Sequence, residues 1–474
     1  MSDKNLGPVI LERKTYFTRC LEDHLYCQTT YKQLTQEEAE ERTKETRRSL
    51  NYIRLHHRDD LTEAENLFFQ RNAKLGHRLP QFYITIKVHK SSYKTRPIIS
   101  CIGSFLNAFS KWLDHRFKTL ISLSPTYIKN SAQIIEELKE IGPLPSQATL
   151  FTCDAISMYT NIDSSHGPEI IAKWIEDFKE EIPDDFPTDF FIKVLKIVMN
   201  SNIFQFDNTY WLQTCGTAMG TSCACAYATL YWAYMERKYI IPKWKQHLPF
   251  IRRFIDDKFG IWTGTQEEFQ SFTADLNSYC QLKWTTDGLS TSVNFLDLTI
   301  YIDKNRNIIT KTFQKECNLH LYIPPHSAHP PGVLKSIVYG NLRRYWHQNT
   351  YTTDFISIAK QFANRLIARG HNQDVIYELF VNAAKKLDGF LDSRNNKKGN
   401  NTLYLHWTWH PRDISRAKLR LLYNETLSNY SGFDSLTIAY SRAKNLRDSL
   451  MTIRLSEPEG TNISNLINGI RRGT

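Results

Sequence analysis

Three aspartates stand where their side chains could do chemistry. Asp154 follows the apolar run Phe151–Thr152–Cys153, and Asp256 and Asp257 stand side by side between two further apolar runs, residues 250–255 and 258–262. A carboxylate at the end of a buried strand is costly unless a cation neutralises it. Two adjacent carboxylates at a hairpin tip repel each other. Hard divalent ions such as Mg²⁺ prefer carboxylate and phosphate oxygens and remove both costs. Two such ions about 4 Å apart can activate a hydroxyl and stabilise a leaving pyrophosphate. Taken singly the acids mean little, because a lone Asp at a strand end is usually a cap and an Asp pair in a hairpin is usually a turn. The ordered set carries the meaning.

The elements that must position these acids can be read from periodicity. Residues 82–88 alternate in a β-rich pattern and residues 96–100 form a second short strand. Helices are expected over residues 104–120, 131–141, 169–181 and 190–199. Leu150–Phe151–Thr152–Cys153–Asp154 reads as a buried strand, and residues 203–206 and 210–212 as a small hairpin turning at Asp207–Asn208. A long helix of small residues is expected from 217 to 239. The two apolar runs around Asp256–Asp257 carry a hairpin signature. A helix over 266–279 and strands over 282–286, 293–302 and 308–313 follow. Residues 1–75 read as helical and highly charged, with Thr35–Gln36–Glu37–Glu38 opening like a capped helix. Beyond residue 330 the pattern is helical again. Asn395, Asn396, Lys397, Lys398 and Gly399 mark a linker over 393–401, and a basic helical tail follows it.

The bulk properties narrow the classes. A chain of 474 residues suggests two to four modules, and 41% hydrophobic with 13% aromatic residues supplies real cores. The net charge of +11 favours polyanions, nucleic acid first and an anionic membrane surface second. Mean hydropathy is −0.45 and no run of about 18 apolar residues occurs, so no membrane span is expected. Residues 1–35 are too polar for a signal peptide. Nine cysteines in no regular pattern read as free thiols of a reducing compartment, cytosol or nucleus. Cys223 and Cys225 have no second pair at zinc spacing, and a zinc grouping of His320, His326 and His329 lacks a cysteine pair to complete it.

Ordered along the chain, these segments resemble the motifs of reverse transcriptases. Phe254–Ile255–Asp256–Asp257 resembles their aromatic-x-Asp-Asp box, and Phe151–Thr152–Cys153–Asp154–Ala155–Ile156–Ser157–Met158–Tyr159 resembles their first palm motif. Gln213–Thr214–Cys215–Gly216–Thr217–Ala218–Met219–Gly220–Thr221 resembles the motif between those two. Arg96–Pro97–Ile98, and Leu79–Pro80–Gln81–Phe82–Tyr83 with Lys87–Val88–His89–Lys90, resemble finger motifs. Within that class the chain resembles the Penelope-like retroelements, whose hallmarks stand here also as Asn294–Phe295–Leu296–Asp297 and Ser327–Ala328–His329–Pro330. The resemblance covers roughly residues 76–390. Cys225 departs from the proline these elements often carry.

The resemblance implies an α+β fold of right-hand polymerase architecture: fingers, a palm with an antiparallel sheet, a helical thumb, and helical N- and C-terminal extensions. The expected divisions are residues 1–75 (helical extension), 76–315 (fingers and palm), 316–390 (thumb) and 391–474 (linker and basic helical extension). It implies an RNA-directed DNA polymerase that adds dNTPs to a DNA primer on an RNA template, without membrane attachment and nuclear by function. Asp154, Asp256 and Asp257 would hold two Mg²⁺ ions, with Mn²⁺ as the alternative. Tyr159, five residues after Asp154, would be the aromatic gate that excludes a 2′-hydroxyl. Lys87 and Arg96 would face the triphosphate, and Gln213, Gly216 and Gly220 would shape the floor of the nucleotide site. His329, Lys335, Arg343 and Arg344 would contact template–primer phosphates. No GIY-YIG endonuclease or RNase H motif is expected. A telomerase-like or domesticated polymerase, and a catalytically silent RNA-binding protein, are the alternatives.

Overall fold

Helices and short, mostly antiparallel strands share the chain, which gives the α+β class expected. The computed structural model describes residues 2–3, 7, 9–72, 78–88, 93–387, 402–428, 432–433 and 435–444. They divide into two units: residues up to Ile308 with Lys315–Cys317, and Ile309–Gln314 with the chain from Asn318 onward.

The first unit opens with α1 (Arg13–Cys20), β1 (Tyr31–Leu34), α2 (Gln36–His56) and α3 (Glu63–Asn72). Helix α2 starts where the sequence places its cap: Thr35 and Glu38 form a reciprocal capping box. Next come β2 (Gln81–Lys87), β3 (Lys94–Ser100), α4 (Leu106–Ile121), α5 (Ser131–Lys139), β4 (Thr149–Ala155), α6 (His166–Asp177), α7 (Thr188–Asn200), β5 (Ile203–Phe206) and β6 (Thr209–Gln213). The unit continues with α8 (Ala224–Met235), a wide turn (Glu236–Ile240), α9 (Ile241–Trp244), β7 (Phe250–Phe254), β8 (Asp257–Trp262), α10 (Gln266–Leu276), β9 (Trp284–Thr286), β10 (Ser292–Phe295) and β11 (Leu298–Ile302).

One sheet has the order β1-β6-β5-β2-β3. Strand β2 alternates as a half-buried strand must, burying Phe82, Ile84 and Ile86. Strand β1 corrects the all-helical reading of residues 1–75: Tyr31 and Leu34 are buried, and Tyr31 pairs with Gln213. The partner is so distant in sequence that no local pattern announces the strand.

The second sheet, β7-β8-β4-β9, is antiparallel throughout and carries the acids. Alternate residues of β4 enter opposite cores. Leu150 packs with Phe250, Phe259 and Ile261, with Ile134 and Leu138 of α5, and with the β10–β11 hairpin. Phe151 and Cys153 join the larger core formed with α4, α6, α7 and α8. Every residue of α8 except Cys225 is buried, as a helix apolar on all sides requires.

Two further expectations need correction. The helix expected from residue 217 begins only at Ala224, because Gly216 and Gly220 hold φ values of +82° and +127°, outside the helical range. The strand expected over 293–302 is a hairpin, folded at Leu296 with φ +56° and closed by the Phe295↔Leu298 pair.

The second unit contains β12 (Ile308–Thr312) from Ile309 on, α11 (Val333–Gln348), α12 (Thr352–Ala368) and α13 (Gln373–Ala384). The three helices close on Val338, Leu342, Tyr345, Phe362 and Leu366. The expected linker over 393–401 lies outside the described residues. The tail, expected to be helical, contains β13 (Thr402–Thr408), α14 (Arg416–Thr426) and β14 (Ser435–Ser441), with β13 and β14 paired in parallel. A parallel pair needs a crossover of this kind, and α14 supplies it. Among the described residues no helix is long and apolar enough to cross a membrane.

Candidate active site

The β7–β8 hairpin closes at the Phe254↔Asp257 pair, so Ile255 and Asp256 form its two-residue turn. Ile255 has φ +55°, a strained conformation for a β-branched residue. Strand β4 lies alongside β8 in the register Asp154↔Asp257, which sets two carboxylates directly opposite each other. The Ala155 N–H donates to the Asp256 carbonyl at 2.9 Å, so the three acids meet at one end of the sheet. Asp154 is exposed rather than buried, contrary to the expectation that burial makes it costly; Asp256 and Asp257 are half-buried.

Crowding shows in their proton affinity. Burial, a hydrogen bond with Asp154 and the charge of Asp256 push Asp257 up to about 8. Burial and the Asp154 charge also raise Asp256, while Arg96 and Lys315 oppose the rise. Among the described residues no three His, Cys, Asp or Glu side chains stand as a ready-made metal cage. Asp154 and Asp257 instead share a hydrogen bond. The donor set nonetheless suits a hard divalent cation: it is all carboxylate, and its ionised forms repel until a positive charge joins them.

Arg96 reaches this group from the other sheet. On the β2–β3 hairpin Thr85 pairs with Arg96 and Lys87 with Lys94, so Lys87, Lys94 and Arg96 share one face. The Arg96 charge is felt by both Asp256 and Tyr159, and one guanidinium nitrogen lies 3.2 Å from the Asp3 carboxylate. Lys87 stands further along the hairpin, where its charge is felt by His24. His89 and Lys90 of the same motif lie outside the described residues.

Tyr159 follows a sharp turn after Asp154, in which Ser157 has φ +48°. Its hydroxyl is 3.1 Å from the Cys225 thiol, and burial raises its pKa so that it stays neutral. The loop between β6 and α8 ties these parts together. The Thr217 N–H donates to the Tyr159 carbonyl at 2.7 Å, and the Ile99 N–H of β3 donates to the Met219 carbonyl at 2.8 Å. A Cβ on Gly216 would lie 2.3 Å from the Tyr159 oxygen, and one on Gly220 2.3 Å from the Ile99 oxygen, so no larger residue fits. The buried Gln213 donates to the Cys215 carbonyl at 2.9 Å, and its Oε1 has no hydrogen-bond partner among the described residues.

The remaining expected residues belong to the second unit. His329 Nδ1 lies 2.6 Å from Ser327 Oγ. Lys335, Arg343 and Arg344 lie on α11, with Lys335 over the Tyr339 ring at 5.5 Å and Arg344 bonded to Asn341 at 3.2 Å.

Sequence reasoning missed a charged cluster inside the first unit: Glu236, Arg253 and Lys258, all without solvent exposure. The signal was present, since Arg253 and Lys258 each interrupt an apolar strand, but nothing local identified their partner.

No protein-family model matches the sequence, and no curated protein matches it. Solved structures do share features of its fold. Telomerase from Candida albicans in complex with a fragment of telomeric RNA covers 79% of this chain and 59% of its own, at 10% identity and a TM-score of 0.49. Apo telomerase from Candida tropicalis, truncated of its C-terminal domain, covers 52% and 59%, at 13% identity and a TM-score of 0.39. The Sicinivirus 3Dpol RNA-dependent RNA polymerase covers 68% and 71%, at 12% identity and a TM-score of 0.39. The chain thus spans about three fifths of the length of these telomerase structures.

Proposed function

We propose that this chain is an RNA-directed DNA polymerase of the Penelope-like retroelement kind, which adds dNTPs to a primer 3′ end on an RNA template. The observation that carries the reading is the Asp154↔Asp257 register with Asp256 at the adjoining turn, inside segments that resemble reverse-transcriptase motifs in order. Mg²⁺, or Mn²⁺, held by Asp154, Asp256 and Asp257 would supply the acidity that activates the 3′-hydroxyl and the charge that stabilises pyrophosphate.

The other residues have roles that follow from their chemistry. The Arg96 guanidinium matches phosphate oxygens as a fork and offsets charge developing on the leaving group. Triphosphate binding there exchanges the Asp3 carboxylate for phosphate. Lys87, on the same face, is the second candidate for the triphosphate. The Tyr159 ring fills the space a 2′-hydroxyl needs, and Cys225 holds its hydroxyl. Gly216 and Gly220 let the backbone of the nucleotide floor approach closely, and Gln213 offers an unsatisfied acceptor nearby. His329, Lys335, Arg343 and Arg344 hold template–primer phosphates, which would make that binding strongly salt-dependent.

The test is primer extension on paired RNA and DNA templates with dNTPs or rNTPs. The reading expects dNTP incorporation on RNA. A folded chain that binds RNA yet extends on neither template, with Mg²⁺ or Mn²⁺, is a silent RNA-binding protein.

A further inference from the structure

Directly behind the acid turn lies a group of charged side chains with no solvent exposure. Arg253 Nε donates to both carboxylate oxygens of Glu236 at 2.9 Å, and one terminal nitrogen donates to the Thr229 carbonyl of α8 at 2.8 Å. The Thr126 hydroxyl donates to Glu236 at 2.6 Å. Lys258 Nζ lies 3.3 Å from Glu236 and 3.4 Å from the Trp284 ring centroid. Buried ion groups of this kind seldom stabilise a fold more than apolar residues of similar size. Their presence here calls for a reason other than stability.

The reason is the remaining arm of Arg253. Its other terminal nitrogen donates to the Ile255 carbonyl at 2.9 Å. That oxygen belongs to the peptide plane joining Ile255 to Asp256, and a peptide plane turns as one body. The plane on the far side of Asp256 is held by the Ala155 N–H, next to Asp154. Both planes that set the direction of the Asp256 side chain are therefore anchored, one from within the core and one from the neighbouring strand. Ile255 itself sits at φ +55°, a conformation that persists only when its surroundings enforce it.

We infer that Arg253 is a positioning residue: from inside the core it fixes the Ile255–Asp256 peptide and so aims Asp256 at the reacting groups. This rests on the polymerase reading for what Asp256 does, and on the hydrogen bonds alone for how it is aimed. Glu236 orients the guanidinium and balances its charge, with Thr126 holding Glu236 in turn. Lys258 completes the neutralisation of Glu236 if Arg253 is removed, so a change at Arg253 need not strand a lone buried charge.

Two variants test this. Arg253→Met leaves the Glu236–Lys258 pair intact. Arg253→Lys keeps a charge beside Glu236 but cannot reach the carbonyls of Thr229 and Ile255 together. The adjacent Arg252→Met is the control, since Arg252 pairs with Glu137 of α5 and not with the turn. The expected result is a folded protein by circular dichroism, unchanged primer–template binding, a kcat lowered on the order of 10²-fold for both Arg253 variants, and KM for dNTP within about 3-fold. Arg252→Met should extend at the wild-type rate. Mn²⁺ titration by calorimetry reads the acids without catalysis, and Arg253→Met should weaken that binding by about 10-fold. Wild-type kcat in either Arg253 variant, an equal loss in Arg252→Met, or unfolding of both Arg253 variants would overturn the inference. A wild type that binds Mn²⁺ but does not extend primers sinks the polymerase reading alone. In that case unchanged Mn²⁺ affinity in Arg253→Met overturns the positioning role, and weakened affinity upholds it.

Discussion

One hairpin carries two charge clusters of opposite character. At its tip and beside it stand three carboxylates, Asp154, Asp256 and Asp257; burial and the neighbouring acids raise the proton affinity of Asp256 and Asp257. A few residues back, Glu236 lies between Arg253 and Lys258, and although burial pushes its pKa up, the two cations outweigh burial and hold it below the ordinary range. The inner cluster pairs opposite charges, although Lys258 Nζ makes no hydrogen bond among the described residues and burial pulls its pKa down to about 8. The outer one holds only like charges, and gains from any cation that joins it. Paired charge fixes geometry, whereas crowded like charge waits for a ligand.

This contrast can be broken by mutation. Asp257→Asn should lower extension by about 10³-fold while leaving metal-free stability equal near neutral pH and higher at pH 9, where it removes a repelling carboxylate. Glu236→Ala should do the reverse to stability, with a loss of about 3–5 kcal/mol in urea unfolding, because two buried cations lose their partner. Equal destabilisation by both would erase the distinction.

Tyr159→Val should raise rNTP incorporation relative to dNTP by about 10–10²-fold, measured as a ratio of kcat/KM values. An unchanged ratio would make Tyr159 a core aromatic only.

A smaller effect is expected from pH. Asp257 is raised from an ordinary carboxylate value to about 8, so its stabilising contribution is complete below about pH 4 and is lost as pH rises through about 8. Metal-free protein should therefore show a falling Tm between pH 6 and pH 9, and Mg²⁺ should restore more at pH 9 than at pH 6. Asp257→Asn should flatten both trends, as differential scanning fluorimetry can read.

The acid hairpin was legible in the sequence because both of its strands are apolar and the Asp pair between them is local. Strand β4 was legible for the same reason. What escaped was non-local. Strand β1 is visible only through its pairing with β6, and β13 only through its pairing with β14 beyond a helix. The start of α8 escaped because small residues after Gly216 look helical until the left-handed glycines are placed against Tyr159 and Ile99. The Leu296 turn escaped because a leucine at positive φ gives no turn signal. Among the site residues, the acids, Arg96 and Tyr159 come together in the first unit, while Lys335, Arg343 and Arg344 lie on a helix of the second. The inner cluster showed only its two cations, each interrupting an apolar strand, because Glu236 and Arg253 come from different elements and only the fold shows that they share a bond.

The most direct measurement compares wild type with Asp256→Ala in primer extension on an RNA template with Mg²⁺ and dNTPs. Template-directed extension by the wild type, absent from a variant that still folds and binds the primer–template, is the predicted result. Extension at the wild-type rate by Asp256→Ala would contradict the account, because the carboxylate that the whole hairpin is built to aim would then have no part in the reaction.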